Sequence, residues 1–268
     1  MRIALISDIH GNLPALESVL ADLDRVGSHD GVFHLGDLVG YGPWPNEVVG
    51  LLKERGITGV AGNYDSTVAT QYEHCGCRYE DPFQEAMSHL SYAWTLEHTT
   101  PETKAWLSSL PFRMDLRPLG GHTSGPTLRL IHGNPVLNTV YWTEDRSDDF
   151  CSKMAGQLGA RVGDVVAFGH THKPWNRTVE GVHLVNTGSV GRPKDGDPRA
   201  GYVLVQVDGE GVEVDHRRVE YDLAEATRAI RTSALPDFFA TFLERGGSSP
   251  SDTDRSPQAP VREERTEP

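Results

Sequence analysis

The chain is poor in the features that mark secreted and membrane proteins. It has only 3 cysteines in 268 residues, too few for the disulfide framework of a small secreted domain. No apolar run reaches the roughly 18 residues that a membrane-spanning helix needs, and the first residues lack the regions of a signal peptide. We therefore expect reduced thiols, no membrane association and a cytoplasmic location.

Positive charge is also scarce. The 25 lysines and arginines are outnumbered by 38 aspartates and glutamates, and the formal net charge is -13. Binding to extended nucleic acid depends on neutralising phosphates with lysine and arginine, so that partner is disfavoured, whereas a small nucleotide is not. Hydrophobic residues make up 37% and charged residues 24%, a balance far from that of disordered chains, so most of the chain should fold.

The first part of the chain alternates between apolar runs and amphipathic stretches. We predict strands at 2–7, 31–35 and 57–61, separated by helices at 13–26 and 45–55. This alternation is typical of a layered α/β architecture.

The second half of the chain is richer in strands. The intervening stretch, about 66–110, has a mainly helical pattern and would form a helical cap or flank. We predict one helix near 147–158 and strands at 128–131, 164–168, 182–185, 202–207 and 212–217, and this strand-rich half suggests a second sheet. After residue 243 apolar side chains almost vanish, which predicts a folded domain at 1–245 and a disordered tail at 246–268.

Polar side chains with metal-binding chemistry follow the predicted strands at their carboxyl ends, where α/β folds place ligand sites. Each group contains or adjoins a glycine, which allows tight turns beside a ligand. Residues two apart in an extended segment project to the same side and can face a common cavity. The strand-end residues are Asp8, His10, Asp37, Asn63, His132, His170 and His172.

Each of these groups alone has a structural explanation, because Asp and Asn often cap helices or form turns. Their joint occurrence at successive strand ends instead favours a metal site. Carboxylate, imidazole and amide ligands without thiolate suit Mn, Fe, Co, Ni or Zn. A lone zinc ion would need fewer ligands.

The motifs resemble those of the calcineurin-like metallophosphoesterase superfamily, particularly its small bacterial and archaeal phosphodiesterase branch, and the resemblance covers about 1–220. It implies a four-layer α/β/β/α sandwich of two mixed sheets flanked by helices. The motifs that carry it are Asp8-Ile9-His10, Gly36-Asp37, Gly62-Asn63-Tyr64-Asp65, Ile131-His132-Gly133 and Gly169-His170-Thr171-His172.

The resemblance also implies two divalent metal ions, with Mn as the first expectation and Fe, Ni, Co or Zn as alternatives. One ion would be bound by Asp8, His10, Asp37 and His172. The other would be bound by Asp37, Asn63, His132 and His170, so that Asp37 bridges them. Two such ions about 4 Å apart can lower the pKa of a water molecule and clamp a phosphate for in-line attack by hydroxide.

The implied activity is hydrolysis of a small phosphodiester, with cyclic nucleotides among the candidates. A phosphomonoesterase and a dinucleoside polyphosphate hydrolase remain alternatives, as does a metal-binding scaffold without turnover. Many superfamily members have histidine directly after the Gly-Asn pair, near the leaving group, whereas this chain has Tyr64. This departure favours phosphodiesters. The pattern leaves the oligomeric state open.

Other residues near the motifs are further candidates. The implied catalytic set comprises Asp37, Asn63, Tyr64, Asp65 and His132. Tyr64 could donate a hydrogen bond, and Asp65 could either accept one from a ligand histidine or cap the following helix.

Substrate contacts are expected from the neighbouring loops. Asn12 is a candidate, although a helix cap is its simplest role, and Tyr41 could stack on a base or merely cover the site. Arg192, in a Gly-rich turn that also carries Lys194, is a candidate phosphate contact. The run 74–77, His-Cys-Gly-Cys, lacks the wider cysteine spacing of usual metal sites, so a third metal there is disfavoured.

Overall fold

The computed structural model describes residues 1–77, 81–117, 125–208 and 211–248. The strands in these ranges are β1 (Arg2–Ile6), β2 (Gly31–His34), β3 (Thr58–Gly59), β4 (Arg113–Leu116), β5 (Leu128–Ile131), β6 (Val165–Phe168), β7 (Trp175–Val179), β8 (Val182–Asn186), β9 (Ala200–Asp208) and β10 (Gly211–Val219). The helices are α1 (Leu13–Val26), α2 (Pro45–Glu54), α3 (Asn63–Thr70), α4 (Pro82–His98), α5 (Pro101–Ser108), α6 (Asp148–Gln157), α7 (Leu223–Thr232) and α8 (Phe238–Glu244).

The strands form two mixed sheets of five strands each. The first has the order β10-β9-β1-β2-β3. Strands β1, β2 and β3 are parallel, and β9 runs antiparallel to both of its neighbours, β1 and β10. The second has the order β4-β5-β6-β8-β7, with β5, β6 and β8 parallel. The carboxyl ends of the parallel strands carry the loops of interest.

Alternation along β1 shows how the layers are built. Ala4 and Ile6 point into a core shared with α1 and α2, whereas Ile3 and Leu5 point into a core between the two sheets. A strand buried on both faces is apolar throughout. A third core lies between α6 and the outer face of the second sheet, so the predicted four-layer α/β/β/α sandwich is confirmed.

The helical stretch predicted at about 66–110 contains most of α3, with α4 and α5. The third strand is shorter than predicted, because the N–H of Ala61 donates to the carbonyl of Pro111 rather than to the sheet. From residue 249 onward, the predicted tail lies outside the described residues. Gly246 and Gly247 pack against the loop around Lys194, and the limits of the domain stay a prediction.

None of the helices within the described ranges is both long and apolar enough to span a bilayer.

Candidate metal centre

Two groups of buried side chains with metal-ligand chemistry lie side by side at the shared edge of the two sheets. Within each group the candidate ligand atoms lie within 4.8 Å of one another. The first group has two members from the loop after β1 and one from the loop after β6: Asp8, His10 and His172. The second collects single residues from the loops after β2, β5 and β6: Asp37, His132 and His170.

Asp37 connects the two groups. Its Oδ2 lies 3.7 Å from Nε2 of His10 and 3.4 Å from Nε2 of His132. Asn63 joins the second group, because its Oδ1 lies 3.1 Å from the same nitrogen of His132. The structure therefore brings all seven predicted ligands together.

In the first group, hydrogen bonds to backbone carbonyls orient the two imidazoles as a metal ion would require. Nδ1 of His10 donates to the carbonyl of Val39 at 3.1 Å, and Nδ1 of His172 donates to that of Arg192 at 2.6 Å. A carbonyl only accepts, so both nitrogens carry the proton and both Nε2 atoms present lone pairs. These lone pairs face each other at 3.2 Å, and Oδ1 of Asp8 is buried with no hydrogen-bond partner among the residues that the structure describes. A cation bound between the two Nε2 atoms would relieve the repulsion of their lone pairs, so these residues fit a metal ion.

The second group also contains a histidine whose Nδ1 is held by a backbone carbonyl. Nδ1 of His132 donates to the carbonyl of Leu35 at 2.7 Å, while its Nε2 lies 3.1 Å from Nδ1 of His170. The His170 ring is held from outside by Tyr141, which stacks on it at 4.3 Å between centroids. Without a metal ion, the one proton on Nε2 of His132 faces Asp37 Oδ2, Asn63 Oδ1 and His170 Nδ1 at once.

Burial keeps most of these imidazoles neutral. It lowers the pKa of His10 and of His170 to about 3, and it lowers that of His172 well below its ordinary value. Burial also opposes a charge on His132, but the charge and hydrogen bond of Asp37 outweigh it and raise the pKa of His132 to about 9. A metal ion that binds the second group must displace this proton.

The backbone at the ligands is strained. Asp8 and Asp37 have φ of 54°, His10 has 50°, His170 has 65° and His172 has 60°. Such left-handed conformations cost non-glycine residues about 1–3 kcal/mol each and persist only where the surroundings enforce them. Here the enforcing contacts include backbone hydrogen bonds between the first two ligand loops, such as Asp8 N–H to the Gly36 carbonyl at 2.9 Å. The clustering of these left-handed conformations at five candidate ligand positions points to a functional site.

Residues outside the predicted set hold Asp8 in place. Ser7 Oγ donates to Asp8 Oδ2 at 2.6 Å, and Ser189 Oγ donates to the Asp8 carbonyl at 2.7 Å. Asn186 Nδ2 donates to the Gly169 carbonyl at 2.9 Å, and a side chain at Gly169 would collide with Ser7 and Asp8. The sequence signals were the position of Ser7 directly before Asp8 and that of Asn186 at a strand end.

The Asp65 carboxylate accepts its hydrogen bonds from backbone N–H groups. Oδ2 accepts from the N–H groups of Asp37 at 2.8 Å and Gly62 at 2.9 Å, and Oδ1 accepts from Leu38 N–H at 2.9 Å. The carboxylate therefore caps α3 and ties the Asp37 loop to the Asn63 loop. Burial, followed by the nearby charge of Asp37, raises the pKa of Asp65 to about 6.

An aromatic cluster covers the other side of His10. The Tyr64 ring is only 1% exposed and lies edge-on to His10, with centroids 5.5 Å apart. Tyr41 contacts the same imidazole at 5.0 Å and carries the guanidinium of Arg192 4.0 Å above its ring. Phe242 of α8 holds the other side of that guanidinium at 4.0 Å.

Asn12 occupies a hydrogen-bonded position beside the cluster. Its Oδ1 accepts from Ala15 N–H at 3.3 Å, as an α1 cap does, and its Nδ2 donates to the Gly191 carbonyl at 2.9 Å.

Among the described residues, His74, Cys75 and Cys77 form no third group of metal ligands.

Comparison with known proteins agrees with this geometry. Residues 1–210 match the family described as the calcineurin-like phosphoesterase superfamily domain. The chain is 31% identical over 261 residues to an uncharacterized protein of Methanocaldococcus jannaschii, covering 91% of this chain and 98% of that protein. It is 28% identical over 218 residues to the phosphodiesterase YfcE of Escherichia coli K12, covering 78% of this chain and 89% of that protein.

Solved structures show the same fold. A metallophosphoesterase from Sphaerobacter thermophilus superposes with a TM-score of 0.70 at 30% identity, covering 92% of this chain and 100% of the other. A hypothetical protein from Pyrococcus horikoshii superposes with a TM-score of 0.76 at 22% identity, covering 92% and 99%.

Proposed function

Since the chain belongs to the calcineurin-like phosphoesterase superfamily, we propose that it hydrolyses a small phosphodiester at a centre of two divalent metal ions. The observation that carries the proposal is the paired arrangement of ligand atoms around Asp37. Oδ2 of that carboxylate lies near the imidazoles of His10 and His132, and a backbone carbonyl holds the other nitrogen of each ring. Such outer contacts fix the tautomer that a metal ligand requires.

Each metal position has its own ligands in this proposal. Asp8, His10, Asp37 and His172 would hold the first ion. Asp37, Asn63, His132 and His170 would hold the second, with manganese as the proposed metal. When bound, two such ions supply the positive charge that lowers the pKa of a water molecule and offsets charge developing on phosphate oxygens.

The protein itself supplies cations for the phosphate. The guanidinium of Arg192 is clamped between the Tyr41 and Phe242 rings, and its charge contributes to the lowered pKa of His10. Burial lowers the pKa of Lys194 to about 7, and its charge acts on both His170 and His172. Arg192 also lines a cavity together with His10, Asn12 and Tyr41, and we propose that it contacts the phosphate of the substrate.

Two observations favour a diester over a monoester. Tyr64 stands where many relatives have the histidine that assists poor leaving groups. The named relative from Escherichia coli is a phosphodiesterase. Tyr41 and Asn12 would line the substrate side in this proposal, with Tyr41 as the apolar wall.

The test compares esters and metals on one protein. Metal-free protein is loaded in turn with Mn, Co, Ni, Zn and Mg and assayed with bis(p-nitrophenyl) phosphate, p-nitrophenyl phosphate and cyclic nucleotides. We expect two bound ions per chain and faster turnover of the diester. Asp37→Asn should lower turnover by at least about 100-fold, because it weakens both positions.

Faster hydrolysis of the monoester would contradict the diester assignment. Absence of turnover with every ion, despite tight metal binding, would instead identify a metal-binding scaffold.

A further inference from the structure

The His-Cys-Gly-Cys run contacts a metal ligand. Nδ2 of Asn63 lies 3.1 Å from the carbonyl oxygen of Cys75 and 3.0 Å from Sγ of Cys77. The other end of the same amide, Oδ1, lies 3.1 Å from Nε2 of His132. Asn63 is only 1% exposed, so these protein groups surround the amide.

The orientation of this amide decides whether Asn63 can be a ligand. Its oxygen can bind a cation, whereas its nitrogen carries two protons and cannot. The carbonyl of Cys75 accepts hydrogen bonds and cannot donate them, so it selects the nitrogen. A thiol sulfur is a weak acceptor placed on the same side. Together they leave the oxygen facing the second metal group.

A tight turn presents these acceptors. Gly76 has a φ of 75°, its N–H donates to His74 Nδ1 at 3.0 Å, and Cys77 N–H reaches Cys75 Sγ at 3.4 Å. A side chain at Gly76 would come within 2.9 Å of Thr139, so the turn packs against the loop that follows His132. Cys75 is 5% exposed and anchors the turn in the core.

We infer that Cys77 is a positioning residue that fixes the Asn63 amide and thereby raises the affinity of the second metal position. The inference rests on the proposed two-metal function and assigns this cysteine run a role within the described centre, in place of a third metal site. Contacts of this kind typically change metal affinity by about 10–100-fold.

The experiment compares two variants of one position. Cys77→Ala removes the side-chain acceptor, whereas Cys77→Ser keeps an acceptor on a side chain of similar shape. Metal-free wild-type and variant proteins are titrated with Mn²⁺, and the two binding constants are followed by calorimetry and by the electron paramagnetic resonance of the coupled ion pair. We expect the alanine variant to lose about 10-fold in one of the two binding constants, that of the position served by Asn63, while the other stays unchanged; the serine variant should stay close to wild type.

Thermal unfolding of the metal-free variants checks that each is folded. Unchanged binding at both positions in Cys77→Ala would overturn the inference, and so would equal losses in the alanine and serine variants or equal losses at both positions. Wild-type protein that binds a single ion would contradict the proposed function itself, so the two failures are distinguishable.

Discussion

Three imidazoles present Nε2 to the metal positions because a carbonyl holds the opposite nitrogen. The carbonyls of Leu35 and Val39 lie on the loop after β2, and that of Arg192 lies on the loop after β8. The backbone around the site therefore decides which nitrogen of each histidine is free. Replacing one of these histidines would remove the candidate ligand together with its supporting hydrogen bond. Substituting a residue beside the candidate ligands instead tests the contribution of one contact at a time.

Tyr64 is the first such position. Tyr64→His should raise turnover of diesters with poor leaving groups relative to good ones, because it restores the imidazole that many relatives carry there. The measurement is kcat/KM across a series of aryl diesters with leaving groups of increasing pKa. Tyr64→Phe is the control, since it keeps the ring against His10 without adding a titratable group. A ratio that stays flat across the series in Tyr64→His would refute this prediction.

Asp65 is the second position beside the candidate ligands that can be tested by substitution. Asp65→Asn should lower the free energy of unfolding of the metal-free protein by about 1–3 kcal/mol, because an amide turns one donor toward backbone N–H groups that need acceptors. Urea unfolding measures the change. Asp222→Asn is the matched control: Asp222 caps α7 through Glu225 N–H at 2.8 Å, and asparagine caps a helix about as well. Equal stability of the Asp65 variant and wild type would contradict the role given to this carboxylate.

Elements differ in how firmly they are joined to the sheets, and α1 has a specific link. Tyr202 on β9 donates to Asp22 Oδ2 at 2.7 Å, and Arg217 on β10 lies 3.5 Å from the same oxygen. Burial acts to raise the pKa of Asp22, but the hydrogen bonds from Tyr202 and Arg25 outweigh it, so the pKa lies below its ordinary 3.8. The native state therefore prefers the ionised carboxylate.

This preference makes part of the stability depend on pH. A lowered native pKa gives stability that is fully present above the unfolded value, here near 3.8, and is lost as the pH falls through the native value. Asp22→Asn should cost about 1–3 kcal/mol at neutral pH, and the cost should shrink below that value. Urea unfolding of the metal-free protein from pH 7 to pH 3 measures it.

The control is Asp24→Asn on the same helix. Asp24 pairs with Arg55 while its side chain is 58% exposed, and a surface pair of this kind contributes at most about 1 kcal/mol. A cost for Asp22→Asn that does not vary with pH would contradict the argument.

The sequence predicted the elements that are buried on both faces better than those at the margins. β1, β5 and β6 are continuous apolar runs, which a strand between two layers requires. β7 was not predicted because exposed polar residues in its middle interrupt the apolar pattern, although the two residues 180–181 join it directly to β8 in a hairpin. The short α8 was also missed, although it supplies Phe242 to the Arg192 clamp.

At the scale of the whole molecule, metal ions should stabilise the fold, because their ligands come from loops of both sheets. Ions at 100 times their dissociation constant add about 2.7 kcal/mol per site, which for a domain of this size raises Tm by several degrees per site. Calorimetric scans with Mn²⁺ and with chelator measure the difference. The shift should be smaller in Asp37→Asn, and no shift in wild type would argue against metal binding.

The candidate ligands were predictable because their spacing follows strand ends, which any α/β sheet brings to one edge. The partners of the supporting residues were not predictable. Pairing of β8 with β6 brings Asn186 to the Gly169 carbonyl, whereas Ser189 reaches Asp8, which follows β1 of the other sheet, only in the folded molecule. Likewise, nothing in the run 74–77 shows that it reaches the Asn63 amide.

The contacts between the sheets have a further consequence. Nδ1 of His132, from the second sheet, donates to the Leu35 carbonyl of the first, and His170 N–H donates to Asp8 across the same boundary at 3.0 Å. A hinge motion between the sheets would break these contacts and separate the candidate ligands, so these contacts oppose closure of one sheet onto the other around a substrate. We therefore expect substrate selectivity to come from the loops around the candidate ligands.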